Sequence, residues 1–173
     1  MKTLLLLRHA KSSWKDPTLR DFDRPLNKRG KKACKIMARY FTDAGIRPDF
    51  VLCSAATRAL ATLQGVRDAF DPEVTVAVED GLYHASAGTM LGRLQDVPDD
   101  VGTVMMIGHN PAMEDFAEAL ADGTMAALEG DMRAKFPTAA LAALMTPIER
   151  WADAAPGGFR LVSFVCPRDV EAH

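Results

Sequence analysis

Three short stretches of this chain carry residue types that handle phosphate. Arg8-His9 follows the apolar run Leu4-Leu5-Leu6-Leu7, Ser54-Ala-Ala-Thr57-Arg58 follows Phe50-Val51-Leu52-Cys53, and Gly108-His109-Asn110-Pro111 follows the run from Thr103 to Ile107. Arginine forks and helix N-termini both suit phosphate oxygens. Two arginines can neutralise a phosphoryl dianion and its transition state, where catalysis is mostly positioning and electrostatics. A neutral imidazole is a competent nucleophile towards phosphorus. A second, protonated histidine would stabilise the equatorial oxygens. One arginine or histidine at a strand end is commonly a solvated or structural group, but two of each on three strand ends are not explained that way. Such a set requires no metal and no organic cofactor. The acidic pairs Asp21/Asp23 and Asp99/Asp100 lack a metal-ligand context and read as solvated loops.

For the three stretches to meet, the runs before them must be strands whose carboxyl ends share one edge, where open α/β sheets bind ligands. The pattern fits. Thr3 to Leu7, Phe50 to Cys53, Val74 to Val78 and Thr103 to Ile107 read as strands, with Leu141 to Met145 and Arg160 to Val165 as two more. Between them, Ala33, Ile36, Met37, Tyr40 and Phe41 recur at helical spacing, with Asn27 as a cap and Gly45 as a C-terminal stop. Ser54 is expected to cap a helix running to about Phe70, and Ser86 one that passes through Leu91, Leu94 and Val97. Pro111 opens a helix with Met113, Phe116, Ala117 and Leu120 on its apolar face. Residues 9–26 read as a long loop, and residues 122–136 as a loop or a poor helix. Alternating strands and helices predict an α/β fold, a mostly parallel sheet covered on both faces.

The chain has 173 residues, which suits a single domain over residues 1–173. A net charge of −2 gives no reason to expect a nucleic-acid or membrane-surface partner. Three cysteines, Cys34, Cys53 and Cys166, fit neither a disulfide framework nor a zinc site. The leucine run is cut off by Arg8-His9, too short for a signal-peptide core. No segment approaches the roughly 20 apolar residues of a membrane span. A reducing cytoplasm is the expected location, and a monomer the expected state.

At the chemistry-bearing residues the chain resembles the histidine phosphatase superfamily, which includes the cofactor-dependent phosphoglycerate mutases. Arg8-His9-Ala10 is similar to that family's Arg-His-Gly signature, and Arg58 and Gly108-His109 match its second arginine and second histidine. Arg8-His9-Ala10-Lys11-Ser12-Ser13-Trp14, Asp23-Arg24-Pro25-Leu26 and Ser54-Ala-Ala-Thr57-Arg58-Ala59 look most like the bacterial phosphohistidine phosphatases of the SixA type. The resemblance implies a three-layer α/β/α, phosphoglycerate mutase-like fold. It implies that His9 accepts the phosphoryl group, that Arg8, Arg58 and His109 complete the pocket, that Ser12 contributes to substrate binding, and that water then attacks the phosphoenzyme. The partner is then a phosphorylated protein or a small phosphorylated substrate.

Three positions depart from the family pattern. Ala10 replaces the glycine, and Lys15 stands where larger members carry an asparagine. Where the family often has a glutamate general acid, Leu82-Tyr83-His84 places His84, with Glu79 nearby but out of step. A poorly defined acid matters less for phosphohistidine, whose imidazole departs more easily than an alkoxide. About twenty residues separate the third and fourth strands, so an open site is expected. Four residues lie between Cys53 and Arg58, one too few for a cysteine phosphatase, and Cys53 reads as core. A small-molecule phosphomonoesterase, a phosphoglycerate mutase-like enzyme and a non-catalytic phosphate-binding module are the alternatives. Trp14 and Tyr83 either line the site or pack, Lys28-Arg29-Gly30-Lys31-Lys32 reads as a solvated helix face or a surface that steers an acidic protein partner, and Glu114 and Glu118 read as solvated.

Overall fold

The structure, a computed structural model, describes residues 1–127 and 136–171. Six strands form one sheet. They are β1 (Lys2–Arg8), β2 (Phe50–Ser54), β3 (Thr75–Glu79), β4 (Thr103–Gly108), β5 (Leu141–Thr146) and β6 (Arg160–Val165). Their order is β3-β2-β4-β1-β5-β6, with β1 to β4 mutually parallel, β5 antiparallel to β1 and β6 antiparallel to β5. The helices are α1 (Lys28–Ala44), α2 (Thr57–Val66), α3 (Ala87–Gln95), α4 (Ala112–Leu120) and α5 (Pro167–Glu171).

The period of two along each strand separates the core into two layers. Leu4 and Leu6 of β1 join Leu52, Val104 and Met106 against Met90, Leu94, Met113 and Phe116 of α3 and α4. Leu5 and Leu7 face the other way, with Val51, Cys53, Met105 and Ile107, against Met37 and Phe41 of α1 and Leu63 of α2. A leucine buried this completely contributes roughly 1.5–3 kcal/mol by leaving water. The β1 run is therefore continuously apolar because both of its faces are covered.

The expected caps of α1 and α3 are present. Asn27 Oδ1 accepts the Gly30 N–H at 2.8 Å, Gly45 turns left-handed with φ 69°, and Ser86 Oγ accepts the Thr89 N–H at 3.1 Å. Ser54 is not a helix cap. It ends β2, and α2 starts three residues later at Thr57, behind Ala56, which makes no side-chain cap. The helix also stops at Val66, and a 3-10 turn, Arg67–Ala69, carries the chain to Phe70. Helix α4 begins at Ala112, just after Pro111. Of the stretch 122–136, a 3-10 turn over Thr124–Ala127 is described; residues 128–135 lie outside the described residues. Helix α5 has too few residues to show a period in the sequence.

The long loop after β1 is closed at its base. Ser12 bridges to Leu26, Ser13 N–H donates to Pro25 O at 2.8 Å, and Asn27 N–H donates to Lys11 O at 3.0 Å. A 3-10 turn, Asp21–Asp23, forms at its far end. The first turn of α1 lies directly under this loop: a Cβ on Gly30 would stand 2.1 Å from Lys11 O.

Candidate active site

Strand register explains why the three chemistry-bearing stretches meet. Arg8 pairs with Gly108 across the parallel β1–β4 ladder, so the next residue on each strand is a histidine. Cys53 pairs with Ile107 on the other side of β4, which sets Ser54 beside the same edge. The connection from β1 carries α1 on one face of the sheet, and the connection from β4 carries α4 on the other. The crevice between them is where a doubly wound sheet binds its ligand.

His9 and His109 face each other with ring centroids 5.1 Å apart, each only 7% exposed. His9 Nδ1 lies 2.7 Å from Ala10 O. A carbonyl only accepts, so Nδ1 carries the proton and Nε2 keeps its lone pair. Arg58 Nε donates to that Nε2 at 3.4 Å. Thr62 Oγ1 accepts the Ala10 N–H at 2.9 Å and donates to Arg58 O at 2.8 Å, which ties the residue after His9 to α2. His109 Nε2 is 2.8 Å from Ser54 Oγ. Arg8 Nη1 donates to Phe136 O at 2.7 Å, an oxygen that also accepts from Asn110 Nδ2 at 3.0 Å. Arg8 Nε and His109 Nδ1 are buried without a hydrogen-bond partner among the described residues.

Burial is the main cause that pulls His9 down to about 4; Arg58, Arg8 and Arg24 add to it against the hydrogen bond to Ala10. Burial also takes His109 down to about 3, with His9 and Arg58 in the same direction and Asp21 opposing. Both imidazoles are therefore neutral at pH 7. The expectation of a protonated second histidine is not met at pH 7, because burial first, and then the neighbouring imidazole, Arg58 and His84, disfavour a positive charge on His109. Arg8 is lowered by burial, against the pull of Glu114.

The other sequence candidates sit around this centre. Ser12 is buried, and its Oγ accepts from Arg24 Nη2. His84 is exposed at the rim, its ring 4.0 Å from that of Tyr83. Glu79 has both carboxylate oxygens 2.8 Å from Arg93 Nε, an ion pair beyond the β3 end. Cys53 is fully buried, and burial pushes its thiol up to about 12, so no thiolate forms there at neutral pH. No group of three or more His, Cys, Asp or Glu among the described residues is placed to hold a metal ion.

Several neighbours of the site have no local sequence signal. Asp21 is not a free loop carboxylate: it ion-pairs with Arg58 and Arg24 and accepts from the Tyr83 hydroxyl. Tyr83 does more than pack, since its ring also stands edge-on to His109 at 5.4 Å. Trp14 neither packs inside nor lines the pocket; it is 76% exposed and stacks on the Arg24 guanidinium, 3.2 Å from ring centroid to Cζ. Glu114 is not solvated, because its Oε1 is buried, without a hydrogen-bond partner among the described residues, and its charge acts on Arg8. Arg24 stood in the Asp-Arg-Pro-Leu motif, and only the fold reveals its contacts with Ser12 and Asp21.

A parallel-centred sheet with two facing histidines and two arginines at one strand edge defines a phosphate-handling α/β protein. The profile of the histidine phosphatase superfamily (branch 1) matches residues 4–129, and the chain belongs to that family. An uncharacterized protein of Mycobacterium tuberculosis is 37% identical over 164 residues, 94% of this chain and 100% of that one. Among solved structures, a protein of Agrobacterium tumefaciens, provisionally assigned as the phosphohistidine phosphatase SixA, superposes with a TM-score of 0.80 at 34% identity, over 96% of this chain and 98% of that one. A protein of Nakamurella with the same provisional assignment gives 0.81 at 28% identity, over 96% of both chains. The three-layer, phosphoglycerate mutase-like fold expected from the sequence is thus found. Among the described residues no helix is long and apolar enough to cross a membrane.

Proposed function

We propose that the chain is a metal-independent phosphatase that works through a phosphohistidine at His9 and takes protein phosphohistidine as its substrate. One observation carries this reading: His9 holds its proton on Nδ1, and its Nε2 lone pair lies among Arg58 and His109. The Nε2 lone pair attacks phosphorus, the phosphorus–nitrogen bond of the substrate breaks, and the departing imidazole takes a proton from solvent or from His84. Water then attacks the phosphoenzyme, its proton passes to solvent, and His9 is restored with release of phosphate. Arg8 and Arg58 balance the phosphoryl charge. Binding a dianion reverses the electrostatic balance at His109, which then takes a proton and donates to an equatorial oxygen.

The similarity to the two SixA-assigned structures supports the substrate class. So does the rim, where His84 is exposed and Glu79 is ion-paired with Arg93, an acid supply that suits a leaving group needing little help. A single domain, a cytoplasmic location and a monomeric state belong to the same reading. The test compares turnover of a phosphohistidine-bearing protein, an aryl phosphate, a sugar phosphate and phosphoglycerate under one set of conditions. Fastest turnover of phosphohistidine supports the proposal. Faster turnover of a sugar phosphate or phosphoglycerate moves the chain to small molecules, and phosphate binding without any turnover makes it a binding module.

A further inference from the structure

The guanidinium of Arg58 has three nitrogens, and Asp21 takes two of them. Arg58 Nη1 donates to the Asp21 main-chain oxygen at 2.7 Å and Nη2 to its Oδ2 at 3.0 Å, while Nε is turned to His9 Nε2. A guanidinium is planar, so fixing two nitrogens fixes the direction of the third. Asp21 is itself fixed. Arg24 Nη1 donates to its Oδ1 at 2.8 Å, and the Tyr83 hydroxyl donates to its Oδ2. Arg24 is held in turn by Ser12 Oγ and, at 3.1 Å, by Ser13 O. A chain of contacts thus runs from the closed base of the loop to the guanidinium beside the candidate nucleophile.

Stability does not account for this arrangement. The Asp21 side chain is 48% exposed. Ion pairs with so wet a partner contribute little to folding. What the arrangement does supply is orientation, and a carboxylate that offsets part of the positive charge of Arg24 and Arg58.

We infer that Asp21, held by Arg24 and Tyr83, is a positioning residue that aims Arg58 Nε at the reacting phosphoryl group. This rests on the proposed function, because it takes Arg58 as a phosphate ligand. It adds a residue outside the strand-end set and gives the loop after β1 a part in the reaction.

The test is a double-mutant cycle in the full-length chain with an aryl phosphate. Asp21→Ala is expected to lower kcat by about tenfold to a hundredfold, the scale of a misplaced catalytic group. KM should change far less. In an Arg58→Ala background the same substitution should have almost no further effect, since residues that act as a unit are not additive. Tyr83→Phe should shift kcat in the same direction by less. Unfolding midpoints, measured alongside, show whether each variant is folded at the assay temperature. The second readout needs no activity: the Arg58 Nε–H signal in nitrogen–proton NMR should be sharp and slow to exchange in the native chain and lose that protection in Asp21→Ala. Effects of Asp21→Ala and Arg58→Ala that simply multiply, or a protected Nε–H that survives Asp21→Ala, would overturn the inference. If the native chain hydrolyses no phosphate compound, the proposed function fails, and the Nε–H signal alone decides whether Asp21 orders Arg58.

Discussion

The floor of the site and its rim are held in different ways. His9, Arg58 and His109 are each 7% exposed, while Trp14 is 76% exposed and the Asp21 side chain 48%. His9 and His109 owe their places to the ladder that pairs Arg8 with Gly108, and His9 is locked further by its main-chain N–H donating to Gly108 O and its Nδ1–H donating to Ala10 O. The rim residues Asp21, Tyr83 and His84 come from turns and are held by side chains reaching 37 and 62 positions along the chain. A floor built from strand ends is fixed before any ligand arrives, and it is desolvated enough to keep two imidazoles neutral. A rim built from turns tolerates change, and it is where the leaving group must be met. On the proposed mechanism, then, floor substitutions should abolish chemistry whatever the substrate, and rim substitutions should alter the preference among substrates.

The largest effect expected is at His9. His9→Ala should lower kcat by about 10⁴-fold or more, the scale of losing a nucleophile, while Cys53→Ser should leave turnover largely intact. Single-turnover assays with acid-quenched protein would detect the labile phosphoenzyme in the native chain and not in His9→Ala. Loss with Cys53→Ser and survival with His9→Ala would break the comparison at its centre.

Next come the arginines. Arg8→Ala and Arg58→Ala should each raise the barrier by about 2–4 kcal/mol, as for loss of one transition-state donor. Equal kcat/KM ratios for aryl phosphate and phosphohistidine in these variants would mark both arginines as floor residues; a ratio that shifts would move that residue to the rim.

The pH dependence of folding follows from the neutral imidazoles. His9 and His109 stay unprotonated in the folded chain down to about 4 and about 3, against an ordinary 6.5. Below pH 6.5 the unfolded chain therefore binds more protons than the folded one, and stability falls as pH falls until the folded values are reached. At pH 5 the loss is about 2 kcal/mol for each histidine, at 1.36 kcal/mol per pH unit. Urea unfolding at pH 7.5 and pH 5 measures it. His9→Gln and His109→Gln should each flatten the slope, and an unchanged slope in both would mean that the floor is wetter than its burial indicates.

The smallest effect belongs to His84. His84→Ala should slow monoester hydrolysis several-fold more than phosphohistidine hydrolysis, because an alkoxide needs a proton on departure and imidazole needs it less. Equal slowing of both would place His84 with the floor residues in function despite its exposure.

The contrast between floor and rim also explains what could be read from the sequence. Strand-end residues follow runs of continuous apolar side chains, and those runs are visible because both faces of β1, β2 and β4 are buried. Arg8, His9, Arg58 and His109 could therefore be placed on one edge before any coordinates. Asn27, Gly45 and Ser86 were legible because a cap acts within a few residues of itself. Ser54 looked like a cap for the same reason, yet its hydroxyl is used across the sheet by His109, 55 positions away. Asp21, Arg24 and Tyr83 depend on contacts made only when the loop after β1 closes over the turn after β3. Glu114 was misread because its helical pattern put it on the polar side, and that side faces Arg8 rather than solvent.

Gly30 has a bearing on anyone who would make this protein more robust. Replacing helical glycines with alanine is a common route to thermostability, worth up to about 1 kcal/mol where the backbone permits. Position 30 has the backbone of an ordinary helix and would be chosen by that rule. Its missing side chain, however, is the space into which Lys11 O fits, two residues from His9 in the chain. A methyl group there must push the loop after β1 off the helix. The clash is with main chain, so its cost outweighs the gain in helix strength: a rule that scores helical glycines by their backbone alone would choose a substitution that lowers the melting temperature and shifts His9 together.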